Sequence, residues 1–191
     1  GKVRRIADLS GRTVGVASST SSTKTTSQQV AELVLKAHGV TAMEANLVPA
    51  GQSYQDYDAA LTARAVDAIL GVEPFASQLR DEGKVSFLFN LNYPADAATV
   101  PGAGFLYVAL HTRPDTVRQR PQLAERMTRA TRRALAWIAE RGPAEVAARL
   151  HPRDTAARER LRRLLAAYPH LFSRDGRFST RQLAETDLFF Q

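Results

Sequence analysis

Apolar and polar positions change rhythm near the middle of this chain. In the first hundred residues, short apolar runs alternate with stretches of helical period. "TVGVA" (13–17) predicts a buried strand. Val30, Leu33, Val34 and Ala37 then recur at i, i+3, i+4 and i+7, one face of a helix, and Gly39 after His38 supplies a left-handed stop. "EANLVP" (44–49) predicts a second strand, "SYQDYDAALTARA" (53–65) a helix and "VDAILG" (66–71) a third strand. "EPFASQLRDEG" (73–83) opens on Pro74, tolerated in a first turn where its missing N–H has no intrahelical acceptor, and closes on Gly83. "KVSFLFNL" (84–91) predicts a fourth strand. A βαβαβαβ series of this kind predicts a mainly parallel sheet flanked by helices.

"NYPADAATVPGAG" (92–104) has no apolar period and forms a joint. One strand follows, "FLYVALHT" (105–112), and then a run of helices. Residues 113–141 carry Leu123, Met127, Ala130, Ala134, Trp137 and Ile138 on one stripe, which predicts a packed face. Residues 143–150, 154–168 and 179–190 predict further helices, punctuated by Pro143, Pro152, Pro169 and Gly176. The expected organisation is a complete α/β lobe over 1–100 and a returning strand with a mostly helical segment over 101–191. The strand at 105–112 must find backbone partners in the first sheet or in strands outside these residues, since buried unpaired amides and carbonyls cost about 1–3 kcal/mol each.

Composition narrows the function. No cysteine occurs, which removes disulfides, thiolate metal sites and cysteine nucleophiles. No apolar run approaches the roughly 20 residues needed to cross a bilayer as a helix. The first hundred residues carry 9 Lys and Arg against 10 Asp and Glu, and the remaining 91 carry 17 against 9, every one of those 17 an arginine. Arginines scattered over several helices predict solvated faces rather than a nucleic-acid surface. The four histidines, His38, His111, His151 and His170, lie too far apart to predict a metal site. No P-loop or dinucleotide signature occurs, and no Ser–His–Asp order or paired carboxylates point to a catalytic centre.

The chemistry is concentrated at the first strand-to-helix join. Nine of the ten residues 18–27 are Ser or Thr, broken only by Lys24. Helix-initial N–H groups lack intrahelical acceptors, and short hydroxyls add donors without filling a cleft. In an open parallel sheet such loops emerge at the carboxyl ends of strands, where ligands bind. "PAGQSY" (49–54) and "LGVEPF" (70–75) leave the sheet at the same edge. The candidate ligand-binding residues are Ser19, Thr20, Ser21, Ser22, Thr23, Thr26, Gln52, Ser53 and Glu73, a polar pocket for a small molecule.

With "IADLSGRTVGVASSTSS" (6–22), "AELVLKAHGV" (31–40), "NLVPAG" (46–51), "AALTARAVDAILGVEPFASQL" (59–79) and the basic helix of 113–141 in this order, the chain resembles the nitrate/sulfonate/taurine-type solute-binding proteins of ABC importers. That resemblance implies a type II periplasmic-binding-protein-like α/β fold, with roughly the first third of a typical member lying upstream of Gly1. It implies capture of a small polar or anionic solute in an inter-lobe cleft, a membrane permease as partner, and an extracytoplasmic location reached by a signal outside these residues. It implies no catalysis, no cofactor, no metal, no nucleic acid, and a monomeric full-length protein. Ligand contacts carried over from the family map to Ser19 through Thr23 and to Glu73. A carboxylate at Glu73 suits an amine or hydroxyl better than a sulfonate. The alternatives are an enzyme on the same fold, since related families make thiamine pyrimidine or menaquinone intermediates, and an effector-binding regulatory domain. The thiamine type uses a cysteine-rich segment that this chain does not have.

Overall fold

The computed structural model describes residues 3–19, 22–41 and 43–191. The chain divides into two compact units, residues 1–103 and 104–191.

Unit 1 is built on a parallel sheet of β1 (Thr13–Val16), β2 (Asn46–Pro49) and β3 (Ala68–Leu70) in the order β2-β1-β3. Thr13 pairs with Asn46 and Val16 with Pro49 on one side of β1; Val14 pairs with Ala68 and Val16 with Leu70 on the other. The central strand is therefore where the strand order reverses. Val14 and Val16 on one face of β1 and Gly15 on the other are all buried, as expected of a parallel strand covered on both faces. Each fully buried apolar side chain of this size stabilises the fold by about 1.5–3 kcal/mol.

Helix α1 (Thr26–Ala37) lies against β1 and buries Val30, Ala31, Val34 and Leu35. Its buried face is rotated from the sequence expectation, since Ala37 is exposed and Leu33 half-buried. It ends as predicted. Gly39 has φ +77°, its amide donates to the Lys36 carbonyl and the Val40 amide to that of Leu35, the doubled closure that satisfies terminal carbonyls. Helices α2 (Tyr54–Thr62), α3 (Phe75–Asp81) and the single turn α4 (Pro94–Ala97) follow. At the amino ends of the strands, Asp67 accepts from the Thr13 amide at 3.0 Å and meets the Arg12 guanidinium at 3.3 Å. Asp67 thus fastens β3 to β1.

Residues 84–91 do not form the predicted fourth strand. Val85 packs on the cluster beneath α2 and α3, Phe87 lies under the Arg80 guanidinium, and Phe89 meets the His38 ring edge-on at 5.0 Å. The apolar run is consumed by the ends of α1 and α3, so hydrophobicity is satisfied without a ladder.

Unit 2 contains α5 (Pro114–Gln119), α6 (Pro121–Glu140), α7 (Pro143–Leu150), α8 (Thr155–Ala167) and α9 (Thr180–Phe189). The predicted helix over 113–141 is two helices, because Pro121 lacks the N–H that would continue the first turn pattern through Arg120. Helices α7 and α8 pair, burying Val146, Ala147, Leu164, Leu165 and Tyr168 within the unit. Residues 105–112 are not a strand either. Phe105 stacks on Phe189 with centroids 3.8 Å apart, and the Leu106 amide donates to Thr186 Oγ1 at 3.0 Å. Val108, further along, is 84% exposed. An apolar alternation becomes a strand only beside another strand, and none pairs with it among the described residues.

Among the described residues no helix is long and apolar enough to cross a membrane.

Candidate functional site

The three loops that leave the carboxyl ends of β1, β2 and β3 are drawn together by an apolar cluster. Ala50 and Tyr57 are buried at its centre with Leu79; Ala17 from the first loop, Val72 from the third, and Tyr54, Ile69 and Phe75 pack against it. Tyr57 meets Phe75 edge-on, with centroids 6.2 Å apart. One short polar bridge links the first two loops, where the Gly51 amide donates to the Ser18 carbonyl at 2.9 Å. Ser18 is buried at that bridge. The mouth therefore lies where the strand order reverses, the place at which open parallel sheets bind ligands.

Each loop then caps its own helix. In the first, Thr25 Oγ1 accepts from the Gln28 amide at 3.3 Å and fixes the start of α1 at Thr26. Lys24 is paired with Glu32, which also accepts from Gln28 Nε2 at 3.2 Å. In the second, Asp56 Oδ2 accepts from the Gln52 and Ser53 amides, both at 3.0 Å, and from Ser53 Oγ at 2.8 Å. Ser53 Oγ in turn accepts from the Asp56 amide, completing a reciprocal cap. The Ser53 hydroxyl, then the Gln52 amide, hold the Asp56 carboxyl below its ordinary pKa. In the third, Glu73 accepts from the Ser77 amide at 3.2 Å and the Ser77 hydroxyl at 2.9 Å.

Gly51 makes the second loop possible. Its φ is +77°, and a Cβ there would lie 2.3–2.4 Å from Asp56 side-chain atoms. Only a residue without a side chain lets the carboxylate close over the turn.

A second polar group flanks the mouth. Lys84 Nζ donates to the Tyr54 hydroxyl at 2.7 Å, Asp58 at 2.9 Å and Glu82 at 3.2 Å, while the Tyr54 hydroxyl donates to Glu82. Glu82 is held down to about 2 by the Tyr54 hydrogen bond first and that of Gln78 next. The Lys84 pKa is raised by the Tyr54 hydroxyl and by Asp58. The cluster ties the start of α2 to the segment after α3.

Of the predicted site residues, Ser19, Ser22, Thr23, Thr26 and Gln52 are exposed along this edge, and Ser53 and Glu73 are half-buried. Thr20 and Ser21 lie outside the described residues. Ser53 and Glu73 have structural duties as well, one as a helix cap and one as a partner of Ser77. Asp56 is a mouth residue that sequence reasoning passed over, although the Ser53-x-x-Asp56 spacing is a capping-box signal. Among the described residues no three His, Cys, Asp or Glu side chains gather as metal ligands.

The sequence signature of the NMT1/THI5-like family matches residues 1–145, three quarters of the chain and every element of the mouth. The chain belongs to the NMT1/THI5-like family. This is a periplasmic-binding-protein-like family, and its α/β fold is the one described above. A solved structure from Bordetella bronchiseptica RB50 aligns over 96% of this chain with a TM-score of 0.75 at 23% identity. That likeness is one of fold. The chain spans 57% of that neighbour's length. A comparison with curated proteins gives no match.

Proposed function

We propose that this NMT1/THI5-like chain is the solute-binding component of an ABC importer, holding a small polar solute at the strand-end mouth of unit 1 and transforming nothing. The observation that carries this reading is the convergence of three strand-end loops, through Ala17, Ala50 and Val72, onto one apolar cluster, with Ser18 and Ser19, Gly51 to Ser53, and Glu73 next to those anchors in the chain. Hydroxyls and amides grip polar groups of a guest, and half-buried Tyr54 and Phe75, packed over buried Tyr57, give its apolar part a floor, the usual division of labour in a small-molecule site. The proposed partner is a membrane permease, and the proposed place of work is outside the cytoplasm.

Such binding stabilises the folded chain by mass action, about 2.7 kcal/mol at one hundred times Kd. For a chain of this size that corresponds to a rise in Tm of roughly 5–10 °C. Thermal unfolding across a panel of small polar solutes tests the reading, with the bound solute recovered and weighed by mass spectrometry. A stabilising solute recovered unchanged supports a binding protein. A flat panel, or a solute recovered with altered mass, overturns it.

A further inference from the structure

The two sheet edges of unit 1 differ in their balance of charge. At the carboxyl ends of the strands the loops and first helical turns hold Asp56 and Glu73, and their one cation, Lys24, is already paired with Glu32. The adjoining cluster places Lys84 against two carboxylates, Asp58 and Glu82. Arg12 precedes β1, Lys36 closes α1 ahead of β2, and Arg64 precedes β3, so these three cations belong to the opposite, amino-end edge, where Asp67 offsets Arg12 and Glu44 precedes β2.

Four amides at the carboxyl-end edge are already engaged. The Gln52 and Ser53 amides are held by Asp56, the Gln28 amide by Thr25, and the Ser77 amide by Glu73. Two of those three internal acceptors are carboxylates. An incoming oxyanion would meet the like charge of Asp56 and Glu73, and these four amides already hold internal acceptors. Exposed pairs such as Lys24–Glu32 are worth about 0–1 kcal/mol, so Lys24 is easily released, but its release leaves Glu32 uncompensated and the edge still negative. A carboxylate carries about four lone-pair positions, and Glu73 uses two of them on Ser77.

Resting on the reading of this mouth as a binding site, we infer that it takes a solute presenting a protonated nitrogen or an array of N–H donors, and discriminates against oxyanions. Opposite charges in a partly excluded cleft attract several-fold more strongly than in bulk water, and like charges are repelled to the same degree.

Calorimetric titration of the full chain with pairs of opposite charge tests this. The probes are 2-aminoethanol against 2-hydroxyethanesulfonate, benzylamine against phenylmethanesulfonate, and further metabolite-sized amines and oxyanions on shared skeletons. The ammonium member should bind at least tenfold more tightly wherever a pair binds. E73Q should lose that preference, whereas S77A, which removes an internal donor and keeps the carboxylate, should retain it; circular dichroism checks that both fold. Tighter binding of the sulfonate member overturns the ligand class and leaves the binding mouth standing. Ammonium preference unaltered in E73Q overturns the role of Glu73 in it. No binding by any probe of either sign overturns the mouth itself.

Discussion

Gly51 and Asp56 depend on each other. The carboxylate closes over a turn only because residue 51 is a glycine with φ +77°. Gly51→Ala is expected to destabilise the chain by about 1–3 kcal/mol, through backbone strain and displacement of Asp56; an unchanged urea midpoint would contradict that. Glu82 gives a pH dependence of defined sign. Its pKa is depressed to about 2 in the folded chain, so the stability it contributes is complete above the ordinary carboxylate range and is lost as pH falls toward about 2. Asp56 and Asp154 are depressed in the same direction. Acid titration of the unfolding midpoint should show this decline, and E82Q should flatten part of it. A midpoint that does not fall between about pH 4.5 and 2 would contradict the assignment. Much at this scale was readable from residue types alone, including the Gly39 stop, the Pro74 helix start and the hydroxyls of residues 18–27. The internal partners were not. Nothing in a linear spacing announces that Glu73 turns back on Ser77 or that Lys24 is taken by Glu32, because both are choices among rotamers made after the backbone is set.

Helices and strands separate along a similar line. The three paired strands and helices α1, α7, α8 and α9 follow from periodicity and punctuation in the sequence. The runs at 84–91 and 105–112 have the same apolar character as β1, yet neither joins a ladder, because a strand is a property of a pair and the sequence shows only one member. The α6 stripe carries a second lesson. Leu123 and Met127 are 43% and 46% exposed, Ala130 and Ala134 are exposed, and Trp137 and Ile138 only half-buried. Amphipathic period identifies a face without identifying what lies against it. Met127→Lys should therefore change stability by no more than about 0.5 kcal/mol. Leu164→Ala, in the packed α7–α8 pair, should cost about 2–5 kcal/mol. Equal costs in a denaturant comparison of the two variants would contradict this division of packed and open faces.

For the whole molecule, net charge is the feature most open to misreading. The chain carries a formal +7, concentrated in unit 2, but many of those arginines have local partners. Arg162 and Arg163 meet Glu159, Arg118 meets Asp115, Arg141 meets Glu145, and Arg158 donates to the His151 and Pro152 carbonyls. Spread over several helices and locally paired, they form solvated faces. Binding to duplex DNA, followed by fluorescence anisotropy, should be weak at low salt; tight binding with a steep salt slope would contradict that. The proposed function rests instead on the strand-end loops that converge in unit 1.

An amide NMR titration of the full chain with a stabilising solute tests that placement most directly. Shifts concentrated in the amides of residues 17–25, 50–54 and 71–75 are the expected result. Shifts centred on α6 to α9, or on the amino-end edge around Arg12 and Arg64, would contradict it.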